Sequence, residues 1–97
     1  MPDLIDRAIA WVKSPTYIDF TTRQLAVLGV VLAEPQPVKV KDLAATLAVS
    51  KPVITRAVGV LVKHRLVERQ KGRDLRNCFI APTEAGRLFR SLFAESE

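Results

Sequence analysis

The chain has 97 residues, of which 48% are hydrophobic and 26% charged, with a formal net charge of +5 and one cysteine. That length and balance fit one compact domain, residues 1–97, and exclude a disulfide-stapled scaffold and a clustered metal site. No apolar run approaches the roughly 20 residues of a membrane span, and the N-terminal MPDLIDRAIAWVKS, with its early acids and no small-residue cleavage site, does not read as a signal peptide.

The charge is unevenly spread. Residues 1–34 carry three basic and four acidic side chains, residues 35–81 ten and three, and residues 82–97 two and three. A basic block between near-neutral ends fits a polyanionic partner, and on charge alone it fits a solvated basic face as well.

Prolines at 2, 15, 35, 37 and 82 divide the chain into short elements. Residues 3–13 read as a first helix, with Leu4, Ile5, Ala8, Ile9 and Val12 at helical spacing and Trp11 widening the apolar side. After the connector SPTYIDF, Thr21 and Gln24 match a capping box for a helix over about 22–34. That helix is apolar nearly all round, with Leu25, Leu28 and Leu32 on one side and Ala26, Val30 and Ala33 on the other. It is expected to be buried on both sides as the central beam. Val38-Lys39-Val40, behind two prolines, reads as a short edge strand. KDLAATLAV is a short helix, and a tight turn at Ala48-Val49 leads into SKPVITRAV, the start of another. LVERQ and NCFIA then read as two strands around the charged turn KGRDLR, and Thr83 caps a last helix over about 84–95. The apolar stripe of that helix is Ala85, Leu88, Phe89, Leu92 and Phe93. Two short helices across a tight turn, followed by a charged hairpin, make a winged helix-turn-helix: mainly α, with a small β-hairpin wing.

The segment opening at Ser50 carries the chemistry. Ser50 is the expected N-cap, its hydroxyl accepting from a first-turn N–H, and Pro52 is tolerated because such N–H groups have no partner within the helix. On a 3.6-residue wheel Ile54, Ala57, Val58 and Leu61 share one face and should pack on the central helix. Pro52, Thr55, Arg56, Gly59 and Lys63 lie on the other, short-chained at its N-terminal half, as entry into a major groove requires. Arg56 is the candidate for a bidentate guanine contact; Ser50, Lys51 and Thr55 are candidates for phosphate or base edges. In the wing, Lys71, Arg73 and Arg76 fall within six residues, with Arg73 near the tip, where an arginine can enter a narrow minor groove. Asp74 is expected to pair with Arg76 or another arginine, and Lys39, Lys41, Arg69 and Lys71 are general phosphate candidates. Gly59 fits either a close approach or simple drift.

From about Leu25 to Leu92 the chain resembles the MarR family of bacterial transcription regulators. The resemblance rests on DLAATLAVSKPVITRAVGVLVKHRLVERQ, then GRDLR, then PTEAGR. It implies a homodimer, with the helix at 50–64 in the major groove and the wing at 71–76 on the minor groove. It makes Asp74 and Arg76 the structural pair of the wing. It also implies small aromatic ligands, sensed between the DNA-binding and dimerisation parts. The chain is shorter than most of the family, with a short first helix and one helix after the wing. Arg65 stands where a glycine commonly ends the helix at positive φ, and Pro82 where an aliphatic residue is usual.

The expected function is therefore sequence-specific binding of double-stranded DNA by a cytoplasmic transcription regulator, a repressor, nucleoid-associated when bound. The first and last helices, 3–13 and 84–95, are the expected dimerisation elements. The alternative is a winged-helix module that holds a protein instead; such modules usually lose the basic face that this chain keeps. A third class, a redox sensor, rests on Cys78 alone, whose ordinary role is a small half-buried residue. His64, the only histidine, sits at the end of the recognition helix in a capping or backbone-facing role. No carboxylate pair, nucleophile triad, phosphate-cradling loop or metal-ligand cluster is present, so no enzyme, cofactor or metal is expected.

Overall fold

The computed structural model describes residues 3–15, 17–71 and 78–94. The elements run α1 (Leu4–Val12), α2 (Thr22–Ala33), β1 (Val38–Lys39), α3 (Val40–Leu47), α4 (Lys51–Lys63), β2 (Val67–Lys71), β3 (Cys78–Pro82) and α5 (Glu84–Ala94). This is the expected winged helix-turn-helix.

The capping chemistry sets the helix starts. Asp3 and Asp6 form a reciprocal box at α1, Asp6 N–H donating to Asp3 Oδ1 at 2.9 Å. Thr21 and Gln24 do the same at α2: Gln24 N–H donates to Thr21 Oγ1 (3.1 Å) and Thr21 N–H to Gln24 Oε1 (2.9 Å). Val40 was expected in the strand but begins α3 instead, so β1 keeps only Val38 and Lys39. β1 does lie at an edge: the sheet order is β1-β3-β2, all antiparallel, with Val38 opposite Ile80 and Arg69 opposite Ile80 on the other side.

α2 is the central beam, packed against α3, α4, α5 and β3. Its burial differs from expectation. Val27, Leu28 and Val31 form one buried stripe, while Leu25, Ala26, Val30 and Leu32 are half-buried flanks and Ala33 is exposed. At 100° per residue, Val27 and Val31 point between the two expected sides, and the neighbouring elements converge there. Around that stripe the core gathers Leu43, Ile54, Val58, Leu61 and Ile80.

Both helices of the helix-turn-helix end without glycine. At the end of α3, Ala48 is left-handed (φ 57°, ψ 44°), with Val49 N–H donating to Ala44 O (3.0 Å). At the end of α4, Arg65 has φ 62°, Leu66 N–H donates to Leu61 O (3.0 Å) and Arg65 N–H to Val62 O (2.9 Å). This is the six-to-one and five-to-two bonding of a Schellman motif, closed by the buried pair Leu61 and Leu66. His64 caps α4, half-buried, its ring edge-on to Phe20 at 5.3 Å.

α5 is bolted to that same corner. Gly86 N–H donates to Thr83 Oγ1 (3.0 Å), so Thr83 caps α5 as expected. The Thr83 hydroxyl also donates to the Arg65 carbonyl (2.7 Å), and Thr83 N–H to the Leu66 carbonyl (3.2 Å). A Cβ on Gly86 would run into the Leu66 carbonyl oxygen, so glycine is required there by close packing.

α1 sits differently. None of its residues is buried. Trp11 stands edge-on to Phe89 of α5 (5.1 Å) and to Tyr17 (5.5 Å), and Phe89 meets Phe20 at 5.8 Å. The Tyr17 hydroxyl donates to Asp19 Oδ1 (2.8 Å), and that bond raises its pKa above the ordinary 10.0. On α5, Phe89 is buried but Ala85 and Leu88 are exposed; the Leu92 and Phe93 side chains lie outside the described part.

Candidate nucleic-acid interface

α3 and α4 meet at a bend of 110° across Ala48–Ser50, inside the range of helix-turn-helix pairs. The wheel positions fall where the spacing puts them. Ile54, Ala57, Val58 and Leu61 are buried against the core, and Val53 and Val60 are half-buried at the margins. Ser50, Lys51, Pro52, Thr55 and Arg56 are all exposed together at the N-terminal half of α4, with Lys63 exposed further along.

One local expectation fails. Ser50 is the N-cap by position, with extended backbone (φ −79°, ψ 159°), and its carbonyl accepts from Ile54 N–H at 3.2 Å. Its hydroxyl makes no capping bond. An N-cap oxygen takes a donor from the second or third helical residue; Pro52, the second, has no N–H to give, and the N–H of Val53, the third, is not used by Ser50 either.

Gly59 is half-buried. The nearest atom to an added Cβ there is Arg69 Nη2, at 3.8 Å, so among the described residues nothing requires glycine at this position. That contact shows where Arg69 lies: along the flank of α4. Strand alternation explains it. Val67, Arg69 and Lys71 point to the helix side of the sheet, buried first and charged after it leaves the core. Glu68 and Gln70 point away and bond one another, Gln70 Nε2 donating to Glu68 Oε2 at 3.2 Å.

An open cleft of about 270 Å³ lies between these elements. Lys39 and Lys41 come from the β1–α3 junction, Lys51 and Thr55 from α4, Arg69 from β2 and Cys78 from β3. Cys78 is half-buried and pairs with Lys71 across the hairpin. The sequence marks each of these cations singly, but their convergence comes from the tertiary fold. The one local signal was the two-residue step from Val67 to Arg69. Of the wing candidates, Lys71 is exposed at the end of β2; Arg73, Asp74 and Arg76 lie outside the described residues.

A family model described as MarR family matches residues 18–76. The chain belongs to the MarR family. Solved structures agree with the fold. The S. aureus MepR–DNA complex superposes with a TM-score of 0.76 at 24% identity, covering 95% of this chain and 77% of that one. A MarR-family transcriptional regulator from Rhodococcus sp. RHA1 gives 0.75 at 25% identity, over 92% of this chain and 58% of that one. CouR from Rhodococcus jostii RHA1, bound to p-coumaroyl-CoA, gives 0.72 at 25%, over 92% and 56%. No curated protein matches by sequence. The chain spans 56–57% of the first S. aureus MepR structures it matches. Among the described residues, no single helix of this MarR-family chain is long and apolar enough to cross a membrane.

Proposed function

We propose that this MarR-family chain is a sequence-specific, double-stranded DNA-binding transcription repressor that works as a homodimer. The carrying observation is α4: a helix anchored by four buried residues that presents Ser50, Lys51, Pro52, Thr55 and Arg56 outward together. In this reading α4 lies in the major groove with Arg56 on a guanine edge, and Lys71, Arg73 and Arg76 serve the adjacent minor groove, Asp74 bracing Arg76. α1 and α5 join two copies through Leu4, Ile5, Ile9, Val12 and Leu88, all large, apolar and exposed. Two recognition helices would then sit roughly 34–36 Å apart, one turn of DNA, and read a near-palindrome. The CouR structure, with its p-coumaroyl-CoA, supports a small aromatic ligand as the effector of this chain.

Retardation of genomic fragments tests the reading. The wild type should select a short duplex, and Arg56→Ala should lose about 1–3 kcal/mol of discrimination at one base pair, roughly 5- to 150-fold. Equal affinity of Arg56→Ala and wild type for matched and mismatched duplexes would remove Arg56 from the site. Failure to retard any duplex at low salt would favour a winged-helix protein-binding module.

A further inference from the structure

The cleft beside α4 borders the outward face of that helix and shares Lys51 and Thr55 with it. We infer that it is a seat for one phosphodiester of the DNA backbone, with Arg69 and Lys41 as positioning residues that set how α4 lies in the groove. The inference rests on the DNA-binding reading above and gives Lys41 and Arg69, separate phosphate candidates in the sequence, one shared site and a role.

Three cations reach the cleft from three elements, Lys41 from α3, Lys51 from α4 and Arg69 from β2; Lys39 borders it, but its ammonium lies over the Phe79 ring at 5.8 Å, on the Gln70 side of the sheet. Among the described residues no carboxylate lines the cleft. Glu68, the acid nearest to Arg69 in the chain, is on the opposite side of the sheet and engaged with Gln70. Like charges held around one open space repel, and an anion placed among them relieves that repulsion. The donors suit phosphoryl oxygens. Arg69 offers a planar guanidinium fork and Lys41 and Lys51 offer ammonium donors. Thr55 adds a hydroxyl, and it also belongs to the outward face of α4. A strand held here therefore borders the reading face.

Arg69 Nη2 lies 3.8 Å from where a Cβ on Gly59 would be, so the guanidinium lies along α4 with the helix backbone as its wall. Phosphate contacts fix register and carry no sequence information. Arg69 and Lys41 should accordingly support every duplex alike, unlike Arg56.

The test compares wild type, Arg69→Ala, Lys41→Ala and Arg69→Lys on a duplex selected by retardation and on a scrambled duplex of equal length. Each alanine variant should lose affinity by the same factor for both duplexes. Each should also flatten the dependence of log affinity on log salt by about one, so that its deficit shrinks roughly 3- to 4-fold between 50 and 200 mM salt. Arg69→Lys should keep the wild-type slope. A second readout uses Cys78, the only thiol in the chain, which lines the cleft. Duplex should slow its alkylation by iodoacetamide, and inorganic phosphate at matched ionic strength should not. Unchanged slopes, or a loss confined to one duplex, would overturn the seat while leaving base reading by α4 intact. Equal protection by inorganic phosphate would overturn the assignment to the DNA backbone. A wild type that retards no duplex would overturn the DNA-binding reading itself.

Discussion

α1 and α4 carry similar amphipathic patterns and meet opposite fates. On α4 the apolar residues Ile54, Ala57, Val58 and Leu61 are 0–5% exposed; on α1 Leu4, Ile5, Ile9 and Val12 are 54–75% exposed. Periodicity alone would bury both. The difference lies in what stands alongside. α4 packs on α2, α3 and β2 and is pinned at its end by Thr83 and Gly86. α1 meets the body through Trp11, edge-on to Phe89. A hydrophobic stripe thus states that a face needs cover, and the tertiary contacts decide whether the same chain supplies it.

The largest expected effect breaks this comparison in two directions. Leu61→Ala removes a fully buried side chain and should cost about 2–5 kcal/mol, read as a lower denaturant midpoint. Ile5→Ala removes about as many atoms from a 69% exposed residue and should change the stability of the dilute monomer by less than about 0.5 kcal/mol. Its effect should appear instead in sedimentation, as a shift toward the smaller species. An Ile5→Ala protein as unstable as Leu61→Ala would mean that α1 is packed within its own chain.

Next in size is the corner where α4 ends. Gly86→Ala sets a Cβ against the Leu66 carbonyl oxygen, and backbone cannot yield as a flexible side chain would. We expect about 1–3 kcal/mol of destabilisation by thermal unfolding. Gly59→Ala is the control on the open flank of the same helix. Its Cβ would make ordinary contact, so the gain in helix propensity should stabilise by about 0.5–1 kcal/mol. Should the two glycines respond alike, close packing at Leu66 would not be what separates them.

The sequence showed the local part of this molecule well. The wheel of α4, the Thr21–Gln24 box, the edge position of Val38-Lys39 and the Thr83 cap all depend on residues within one turn or one strand, and all are present. Less local features were hidden. The Ser50 hydroxyl leaves its cap unmade: Pro52 removes one of the two N–H groups it could accept from, and the other, on Val53, goes unused. The requirement for glycine at 86 is set by Leu66, twenty residues earlier. The cleft joins Lys41 to Arg69 through the packing of a helix on a hairpin, and no spacing rule connects them.

Arg65 gives the finest test of how α4 is held. Its φ of 62° is the conformation that glycine adopts freely and a residue with a Cβ adopts at a cost of about 1–2 kcal/mol. The chain keeps it because the backbone bonds of the corner leave no alternative: Leu66 N–H to Leu61, Arg65 N–H to Val62 and the Thr83 hydroxyl to the Arg65 carbonyl all require that turn. Arg65→Gly should therefore stabilise the fold by about 1 kcal/mol, a rise of roughly 4–8 °C in Tm for a domain of this size. Arg65→Asn should recover part of the gain, since asparagine tolerates the left-handed region, and Arg65→Ala should recover none. That ranking separates strain in the backbone from loss of a surface charge, because all three variants remove the same guanidinium. If Gly, Asn and Ala shift Tm equally, charge and not conformation governs the end of α4.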